Sequence, residues 1–244
     1  MTENVIIIPT RLEATRLPNK PLKKINNKEM IIHVYEAAKK SNVGEVIVAS
    51  PNQQICELIT SVKGVCVKTK PDHETGTDRI FEVFDKFLNK KPQIIINLQG
   101  DMPNINPSAI KMLSDYMNKN VCDIATLASQ FKNSKEIENI NNVKVVTNEL
   151  LSNNQFDEAT DFFRKNENTN KKRHIYHHIG IYAFTKEALL RYVSLTRSKK
   201  ELDRNLEQLR ALENNMKIHV GYTPFSPLSV DTEEDLLSVK KLMK

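Results

Sequence analysis

Residues 94–105 read IIINLQGDMPNI, and this stretch decides the fold class of the chain. Its apolar start is almost unbroken, which is typical of a strand buried on both faces of a parallel sheet. The run ends in Gln99, Gly100 and Asp101, so the strand would deliver a carboxylate to the edge of the sheet. In open α/β sheets the ligand crevice lies at the carboxyl ends of the strands. The segment therefore predicts an α/β protein with Asp101 at its binding site.

Similar short runs of Val and Ile recur and alternate with helical patterns. The predicted strands are Val5–Ile8, Glu45–Ala49, Gly64–Val67, Gln93–Leu98, Asp123–Ala128, Val143–Thr147, Gly180–Phe184 and Lys217–Gly221. The predicted helices are Met30–Lys40, a stripe from Ile80 to Leu88, Pro107–Asn118, Lys186–Ser194, Leu202–Asn214 and Thr232–Met243. The alternation predicts a mostly parallel, mixed sheet with helices on both faces, in a single domain over residues 1–244. The pattern breaks down around residues 150–174, where we expect a flap or dimerisation excursion.

Composition sets the remaining bounds. A chain of 244 residues can bury a substantial core. No apolar stretch approaches the roughly 20 residues that span a bilayer, and the start lacks signal-peptide features, so we expect a soluble, cytoplasmic protein with no membrane partner. Cys56, Cys66 and Cys122 are widely separated without CxxC spacing, and we expect reduced thiols.

The chain is basic, with a formal net charge of +6 and a pI near 9.1. Such a balance suits either an enzyme that handles anionic substrates or a nucleic-acid-binding domain. The second class predicts aromatic residues interleaved with a continuous basic face. This chain has no Trp, and its aromatic residues fall largely on helical stripes. We therefore expect no nucleic-acid partner.

The loop after the first predicted strand reads PTRLEATRLPNKPL at residues 9–22 and carries Arg11, Arg16 and Lys20. Three cations on one loop suit a triphosphate, although they could equally be ordinary surface charges. The chain contains neither GxxxxGK[ST] nor GxGxxG, so phosphates would be held by side-chain charge rather than by a glycine-rich backbone.

The same loop is similar to the nucleotide-binding signature of sugar nucleotidyltransferases, most closely to the PARxxSxRLPxKPL of the 3-deoxy-manno-octulosonate (Kdo) cytidylyltransferases. Further segments resemble motifs of that family in the same order. They are HETGTDR (73–79), QGDMP (99–103), NVKVV (142–146), HIGIY (178–182), EQLR (207–210) and VDTEEDL (230–236). Any one match is weak, but the ordered set spans residues 5–236. It identifies the chain as a member of this family, with the family's Rossmann-like, nucleotide-diphospho-sugar-transferase fold.

The resemblance implies an enzyme that joins CTP to Kdo and releases pyrophosphate, for lipopolysaccharide biosynthesis, as a homodimer. Arg11 and Lys20 would act in catalysis, and with Arg16 they would grip the triphosphate. Asp101 and Asp231 would hold Mg²⁺, which prefers carboxylate and phosphate oxygens. Without the resemblance, Asp101 could simply close a turn and Asp231 could stabilise a helix N-terminus.

The resemblance also assigns the base and the sugar. Cytosine would lie against Gly76, Thr77 and Arg79, although Thr77 could instead be a plain helix N-cap. The residues implied for the acidic sugar are Gln99, Arg164, His178, Tyr182, Glu207 and Gln208. Arg164 would pair with the sugar carboxylate.

The sequence departs from the family pattern mainly around the predicted sugar side. Met102 replaces the acid of QGDEP, Ala14 replaces a serine, and His177 stands where the family has arginine. Residues 162–168, FFRKNEN, keep the arginine of FSRxxIP but lose its serine and proline. The alternatives left open are a cytidylyltransferase for another acidic sugar, such as 8-amino-Kdo or a sialic-acid-like nonulosonate, and a relative that binds nucleotide without turnover.

Overall fold

The computed structural model describes residues 4–89, 91–153, 155–165 and 174–244. Packing divides the chain into two compact units, Met1–Ser114 with Pro227–Lys244, and Asp115–Ser226. The single domain expected over residues 1–244 stays a prediction. No helix in the described ranges is long and apolar enough to cross a membrane.

The elements alternate along the chain. The strands are β1 (Asn4–Pro9), β2 (Lys24–Ile25), β3 (Lys28–Glu29), β4 (Glu45–Ser50), β5 (Val65–Lys68), β6 (Ile94–Leu98), β7 (Ile124–Ser129), β8 (Lys144–Thr147), β9 (Phe156–Phe163), β10 (His174–Thr185) and β11 (Ile218–Tyr222). The helices are α1 (Met30–Lys40), α2 (Gln53–Ser61), α3 (Gly76–Lys86), α4 (Pro107–Met117), α5 (Ser134–Glu138), α6 (Lys186–Ser194), α7 (Lys199–Arg204), α8 (Leu209–Glu213) and α9 (Glu233–Leu242), with a 3₁₀ turn at Lys20–Leu22.

In the first unit, four parallel strands lie in the order β5-β4-β1-β6. Ile6 in β1 pairs with Val46 of β4 and Ile96 of β6, and the isoleucines of β1 and β6 are almost wholly buried. These strands are apolar on both faces because helices cover the sheet. The predicted parallel sheet is confirmed, and the loops after β1 and β6 leave it at the same edge.

In the second unit the sheet is mixed. β7 is parallel to β11 and antiparallel to β10, and the pairs β11–β9, β9–β8 and β8–β10 are antiparallel. β10 is longer than the predicted Gly180–Phe184, because its first residues pair with β8.

The prediction of a patternless segment from residue 150 was wrong for residues 156–163, which form β9. The buried residues Ala159 and Phe162 are three apart, because the register against β8 shifts between Ala159 and Asp161, so the segment shows no period of two. Residues 154 and 166–173 of the expected excursion lie outside the described residues. Its roles as flap or dimer surface stay predictions.

Two other predictions were wrong. The helix expected at Leu202–Asn214 is two helices, because Asn205 adopts a left-handed conformation with φ of 51° and ends α7. Cys56 and Cys66 are joined by a disulfide rather than reduced, since the chain returns from α2 into β5 and brings their Cα atoms within 5.1 Å. Cys122 is free and buried, as expected.

Candidate functional site

A pocket of about 360 Å³ opens at the carboxyl edge of the first unit's sheet. Its wall combines the loop after β1, the N-terminus of α3, the turn after β6 and the residue two positions before α9. The lining includes Arg11, Arg16, Lys20, Gly76, Arg79, Gln99, Asp101 and Asp231. Eight of the residues predicted from sequence therefore meet in one place, although they lie as far apart in the chain as Arg11 and Asp231.

Lys20 lies between two carboxylates at the centre of this pocket. Its Nζ is 2.9 Å from Oδ2 of Asp101 and 3.0 Å from Oδ1 of Asp231. Nη2 of Arg16 is 3.0 Å from the other carboxylate oxygen of Asp231. Burial alone lowers the pKa of Lys20, but the two carboxylates outweigh it and raise that pKa above its ordinary value. The ammonium is therefore charged at neutral pH.

The backbone holds this charged group in place. Asn19, in a left-handed conformation with φ of 55°, begins the 3₁₀ turn that starts at Lys20. The N–H of Val230 donates to the carbonyl of Asp101 at 2.9 Å, which joins the approach to Asp231 to the end of β6. Leu17 and Val230 are buried in one apolar cluster, so the residues next to Arg16 and Asp231 are anchored together.

The donor set of this group suits Mg²⁺. Two carboxylates face one ammonium, which shows that the geometry favours a cation between them. Mg²⁺ usually takes one or two protein carboxylates and completes its shell with phosphate oxygens and water. Within the described ranges no group of three or more His, Cys, Asp or Glu could hold a metal. A cation held by Asp101 and Asp231 would therefore take its remaining ligands from substrate and water.

The N-terminus of α3 forms a second wall. Thr75, not Thr77, is the N-cap, so that alternative was wrong: Thr75 and Asp78 form a reciprocal capping box. A Cβ on Gly76 would lie 3.3 Å from Cγ of Pro9 and 3.5 Å from Nε2 of Gln99, which explains why a residue without a side chain fits there. The helix N-terminus presents backbone N–H groups and the positive end of the dipole to the pocket.

Thr77 does not line the pocket. Its side chain is 1% exposed, and its hydroxyl accepts a hydrogen bond from Asn97 Nδ2 at 3.3 Å. Its role in nucleotide binding stays a prediction. The position favours contact with β6 rather than with a ligand.

Arg79 lines the pocket but directs its guanidinium at the loop after β5. Nη1 donates to Thr69 Oγ1 at 2.6 Å and to the carbonyl of Lys70 at 2.8 Å, and Nη2 donates to the carbonyl of Pro71 at 3.4 Å. These bonds hold the loop after β5 against α3.

Glu82 is a residue that the sequence reasoning missed. Its Oε2 lies 2.6 Å from Nε2 of His73, a pocket residue, and accepts from the N–H of Lys70 at 2.9 Å. Burial alone raises the pKa of Glu82, but hydrogen bonds from His73, Lys70 and Lys86 lower it to about 2. The sequence signal that could have revealed Glu82 is its position among the buried residues of α3, because a buried carboxylate needs hydrogen-bond partners.

Asn52 was also missed, and it braces the cationic loop. Its Oδ1 accepts from the N–H of Leu12 at 3.1 Å, and its Nδ2 donates to Oε1 of Glu13 at 2.9 Å. The amide of Asn52 lowers the pKa of Glu13. The residue lies after β4 and before α2, and nothing in the local sequence indicates that it reaches the first loop.

Of the residues predicted to contact the sugar, Gln99 lines the pocket, and its Nε2 donates to Asn97 Oδ1 at 3.0 Å. The others belong to the second unit. Nη1 of Arg164 donates to the carbonyls of Ile140 and Asn141, at 3.4 and 3.1 Å. Glu207 and Gln208 lie in the turn between α7 and α8.

His178 and Tyr182 are buried in β10. Nε2 of His178 is 2.9 Å from Oγ1 of Thr126, and burial lowers the pKa of His178 to about 3, so its ring is neutral at pH 7. Burial, followed by the charge of Glu207, raises the pKa of Tyr182 well above its usual range. Both side chains can form hydrogen bonds without adding charge.

The departures from the family pattern have distinct surroundings. Met102 is 3% exposed, so its side chain packs in the interior and changes no charge on the pocket wall. Ala14 lines the pocket. The ring of His177 stacks on Phe131, with centroids 5.3 Å apart, and Nδ1 lies 3.0 Å from Ser226 Oγ.

Comparisons with known proteins agree on one family. The sequence model of the cytidylyltransferase family matches residues 5–218. A 3-deoxy-manno-octulosonate cytidylyltransferase of Bartonella henselae is 39% identical over 99% of this chain and 98% of its own, and that of Bartonella tribocorum is 38% identical over the same shares. The solved structure of a CMP:2-keto-3-deoxy-manno-octonic acid synthetase complexed with CTP superposes with a TM-score of 0.86, at 35% identity, and covers 99% of this chain and 98% of that one.

Proposed function

The chain belongs to the cytidylyltransferase family, and within it to the 3-deoxy-manno-octulosonate cytidylyltransferases, and from this premise we propose how its residues carry out the reaction. The enzyme transfers CMP from CTP to the anomeric hydroxyl of Kdo. The sugar oxygen forms a bond to the α-phosphorus, the bond from that phosphorus to the oxygen bridging to the β-phosphate breaks, and pyrophosphate leaves with the electron pair. The hydroxyl proton is released.

The arrangement of Arg16, Lys20, Asp101 and Asp231 in the pocket carries this proposal. Phosphoryl-type transfer requires in-line positioning and neutralisation of negative charge more than covalent chemistry. Arg11, Arg16 and Lys20 supply fixed positive charge for the triphosphate and for the pyrophosphate that leaves. The N-terminus of α3, beginning at Gly76, adds backbone donors for substrate groups.

We place Mg²⁺ with Asp101 and Asp231, on the grounds of their donor chemistry. The ion, when bound, would neutralise phosphate charge and polarise oxygens at the reacting phosphorus. The two carboxylates would hold the cation, and Lys20, which pairs with both, would then be available to the triphosphate.

The acceptor sugar is an acid, so its site needs one cation for the carboxylate and several polar groups for the hydroxyls. We assign Arg164 to the carboxylate, and His178, Tyr182, Glu207 and Gln208 of the same unit to the hydroxyls. The role of Gln99 in sugar binding stays a prediction. The neutral His178 ring and the protonated Tyr182 suit contact with hydroxyls rather than with a second charge. We further propose that the enzyme supplies lipopolysaccharide synthesis in the cytoplasm as a homodimer, since the activated sugar is the chemistry such a pathway consumes.

The proposal is tested by pyrophosphate release with each of ATP, CTP, GTP and UTP against Kdo, 8-amino-Kdo and N-acetylneuraminate. We expect release only with CTP, and fastest with Kdo. Faster release with another acidic sugar would reassign the acceptor while keeping the reaction. CTP binding without release for any sugar would overturn the enzyme and indicate a relative that binds nucleotide without turnover.

A further inference from the structure

Lys144 is a buried lysine that the reaction as described above does not use. It is the first residue of β8, and its side chain is completely inaccessible to solvent. In the sheet of the second unit it pairs with Phe163 of β9 and with His177 of β10. Arg164 and His178, both assigned to the sugar, each directly follow one of these two partners. Lys144 therefore pairs with the residue before Arg164 on one side and with the residue before His178 on the other.

The ammonium of Lys144 is bound by backbone carbonyls. Nζ donates to the carbonyl oxygens of Asn139 at 2.7 Å, Asn142 at 2.9 Å and Arg164 at 2.7 Å. An ammonium has three hydrogens, so its full donor capacity is used. One of the three acceptors belongs to Arg164 itself.

Arg164 and Lys144 hold the same short loop from two sides. Nη1 of Arg164 donates to the carbonyls of Ile140 and Asn141, while Lys144 takes the carbonyls of Asn139 and Asn142. Lys144 thus fixes Arg164 at its main chain and also orders the loop against which the guanidinium lies. The arrangement restricts where the guanidinium can point.

Burying an ammonium is energetically less favourable than burying an apolar side chain. Placing a charge in the interior costs several kcal/mol unless it is well compensated, and an apolar residue of similar volume is often no less stable. Burial lowers the pKa of Lys144, and the neighbouring charge of Arg164 lowers it further, so the two cations sense each other. Two adjacent positive charges create a potential that favours an anion.

We propose that Lys144 is a positioning residue for the acidic sugar: it holds Arg164 in the orientation that receives the carboxylate and adds buried positive charge beneath it. The proposal rests on the assignment of Arg164 to the sugar carboxylate. It does not make Lys144 a catalytic residue, because its ammonium is fully occupied by carbonyls.

The test is a double-mutant cycle with Lys144→Met and Arg164→Ala, measured as KM for Kdo and KM for CTP. Lys144→Met should raise the KM for Kdo by about tenfold, because hydrogen bonds to a charged group are lost, and leave the KM for CTP within about twofold. In the Arg164→Ala background the same change should add less than about threefold, since the residue it positions is gone. Lys135→Met removes an exposed lysine from neighbouring α5 and is the matched control, with both KM values unchanged.

Lys144→Gln, which keeps two amide hydrogens but no charge, should fall between wild type and Lys144→Met. Two results would contradict a positioning role for Lys144 and indicate a general packing role instead. One is an equal rise in the KM for Kdo and the KM for CTP, and the other is an effect of the double mutant equal to the product of the two single effects. Loss of CTP binding by both variants of Lys144 would also overturn the positioning role, in favour of a purely structural one. If Arg164→Ala leaves the KM for Kdo unchanged, the assignment of Arg164 to the sugar carboxylate is wrong. If Arg164→Ala raises the KM for Kdo strongly and Lys144→Met does not, only the positioning role of Lys144 is refuted.

Discussion

Replacing Lys20 with methionine removes an ammonium that joins Asp101 to Asp231. Methionine keeps most of the length of the side chain, so the change is chiefly one of charge. In the structure Nζ lies 2.9 and 3.0 Å from the two carboxylates, at the centre of the pocket assigned to CTP. Lys20→Met should therefore affect turnover far more than folding.

The two magnitudes follow from the surroundings of Lys20. Loss of one preorganised donor to developing charge costs about 2.7–4 kcal/mol in the transition state, which corresponds to a fall in kcat of about 10²–10³. The side chains of Lys20, Asp101 and Asp231 are 16%, 24% and 38% exposed, so solvent screens the ion pairs. Such pairs contribute up to about 1 kcal/mol each to stability, so the loss of both costs at most about 2 kcal/mol, and we expect Tm to fall by at most about 4–8 °C.

The assay is pyrophosphate release at saturating Kdo with varied CTP, with thermal unfolding of each variant measured beside it. Lys23→Met is the matched control, since Lys23 is three residues away, pairs with Glu233 at 3.0 Å and does not line the pocket. It should keep kcat/KM for CTP within about twofold of wild type. A loss of less than about threefold in kcat/KM for Lys20→Met, with the fold intact, would refute the assignment of Lys20 to the triphosphate.

Three further predictions concern other charged groups. Asp101→Asn and Asp231→Asn should each lower kcat by about 10²–10³ with little change in Tm, and near-normal rates would contradict their assignment to Mg²⁺. Because the pKa of Glu82 is about 2 in the folded chain against an ordinary 4.5, its contribution to stability is present above pH 4.5 and is lost as the pH falls toward 2. Urea unfolding should show wild type losing its advantage over Glu82→Gln across that window, and an advantage independent of pH would contradict the role of the carboxylate. Arg210→Met should lower the free energy of unfolding by about 2–3 kcal/mol, because the buried carboxylate of Glu201 loses two bonds from Arg210, at 2.6 and 2.8 Å, and keeps its pair with Arg197 at 3.1 Å. A loss under about 1 kcal/mol would contradict the role of Arg210.

The strands of the first unit could be predicted because burial on both faces leaves a direct mark on the sequence. Ile6 and Ile96 are surrounded on every side, so their segments are apolar without alternation. The start of the last helix at Thr232 could be predicted equally well, because the signals that begin a helix are local, and Thr232 and Asp235 form a capping box there. Local chemistry and simple periodicity are what a single sequence records best.

Contacts between residues that are distant in the sequence could not be predicted in the same way. Lys20 lies 81 residues from Asp101 and 211 from Asp231, so no spacing rule reports that they touch. The family resemblance named all three as site residues, and the structure shows that they line one pocket. The disulfide and the reach of Asn52 to the first loop depend likewise on tertiary packing.

Other misses came from patterns that support two structures. The leucines at 202, 206, 209 and 212 fit one continuous helix, yet Asn205 tolerates the left-handed conformation that breaks it. The break places Glu207 and Gln208, both proposed as sugar contacts, in a turn rather than on a helical face. In β9 a shift of register between Ala159 and Asp161 breaks the alternation that a regular half-buried strand shows.

A crystal structure of the chain with CTP and Mg²⁺ would show whether CTP binds in the pocket around Lys20. We expect triphosphate oxygens within hydrogen-bonding distance of Arg11, Arg16 and Lys20, with Mg²⁺ on Asp101 and Asp231. A triphosphate bound away from these cations, or Lys20 still paired with both carboxylates and no metal between them, would contradict this expectation.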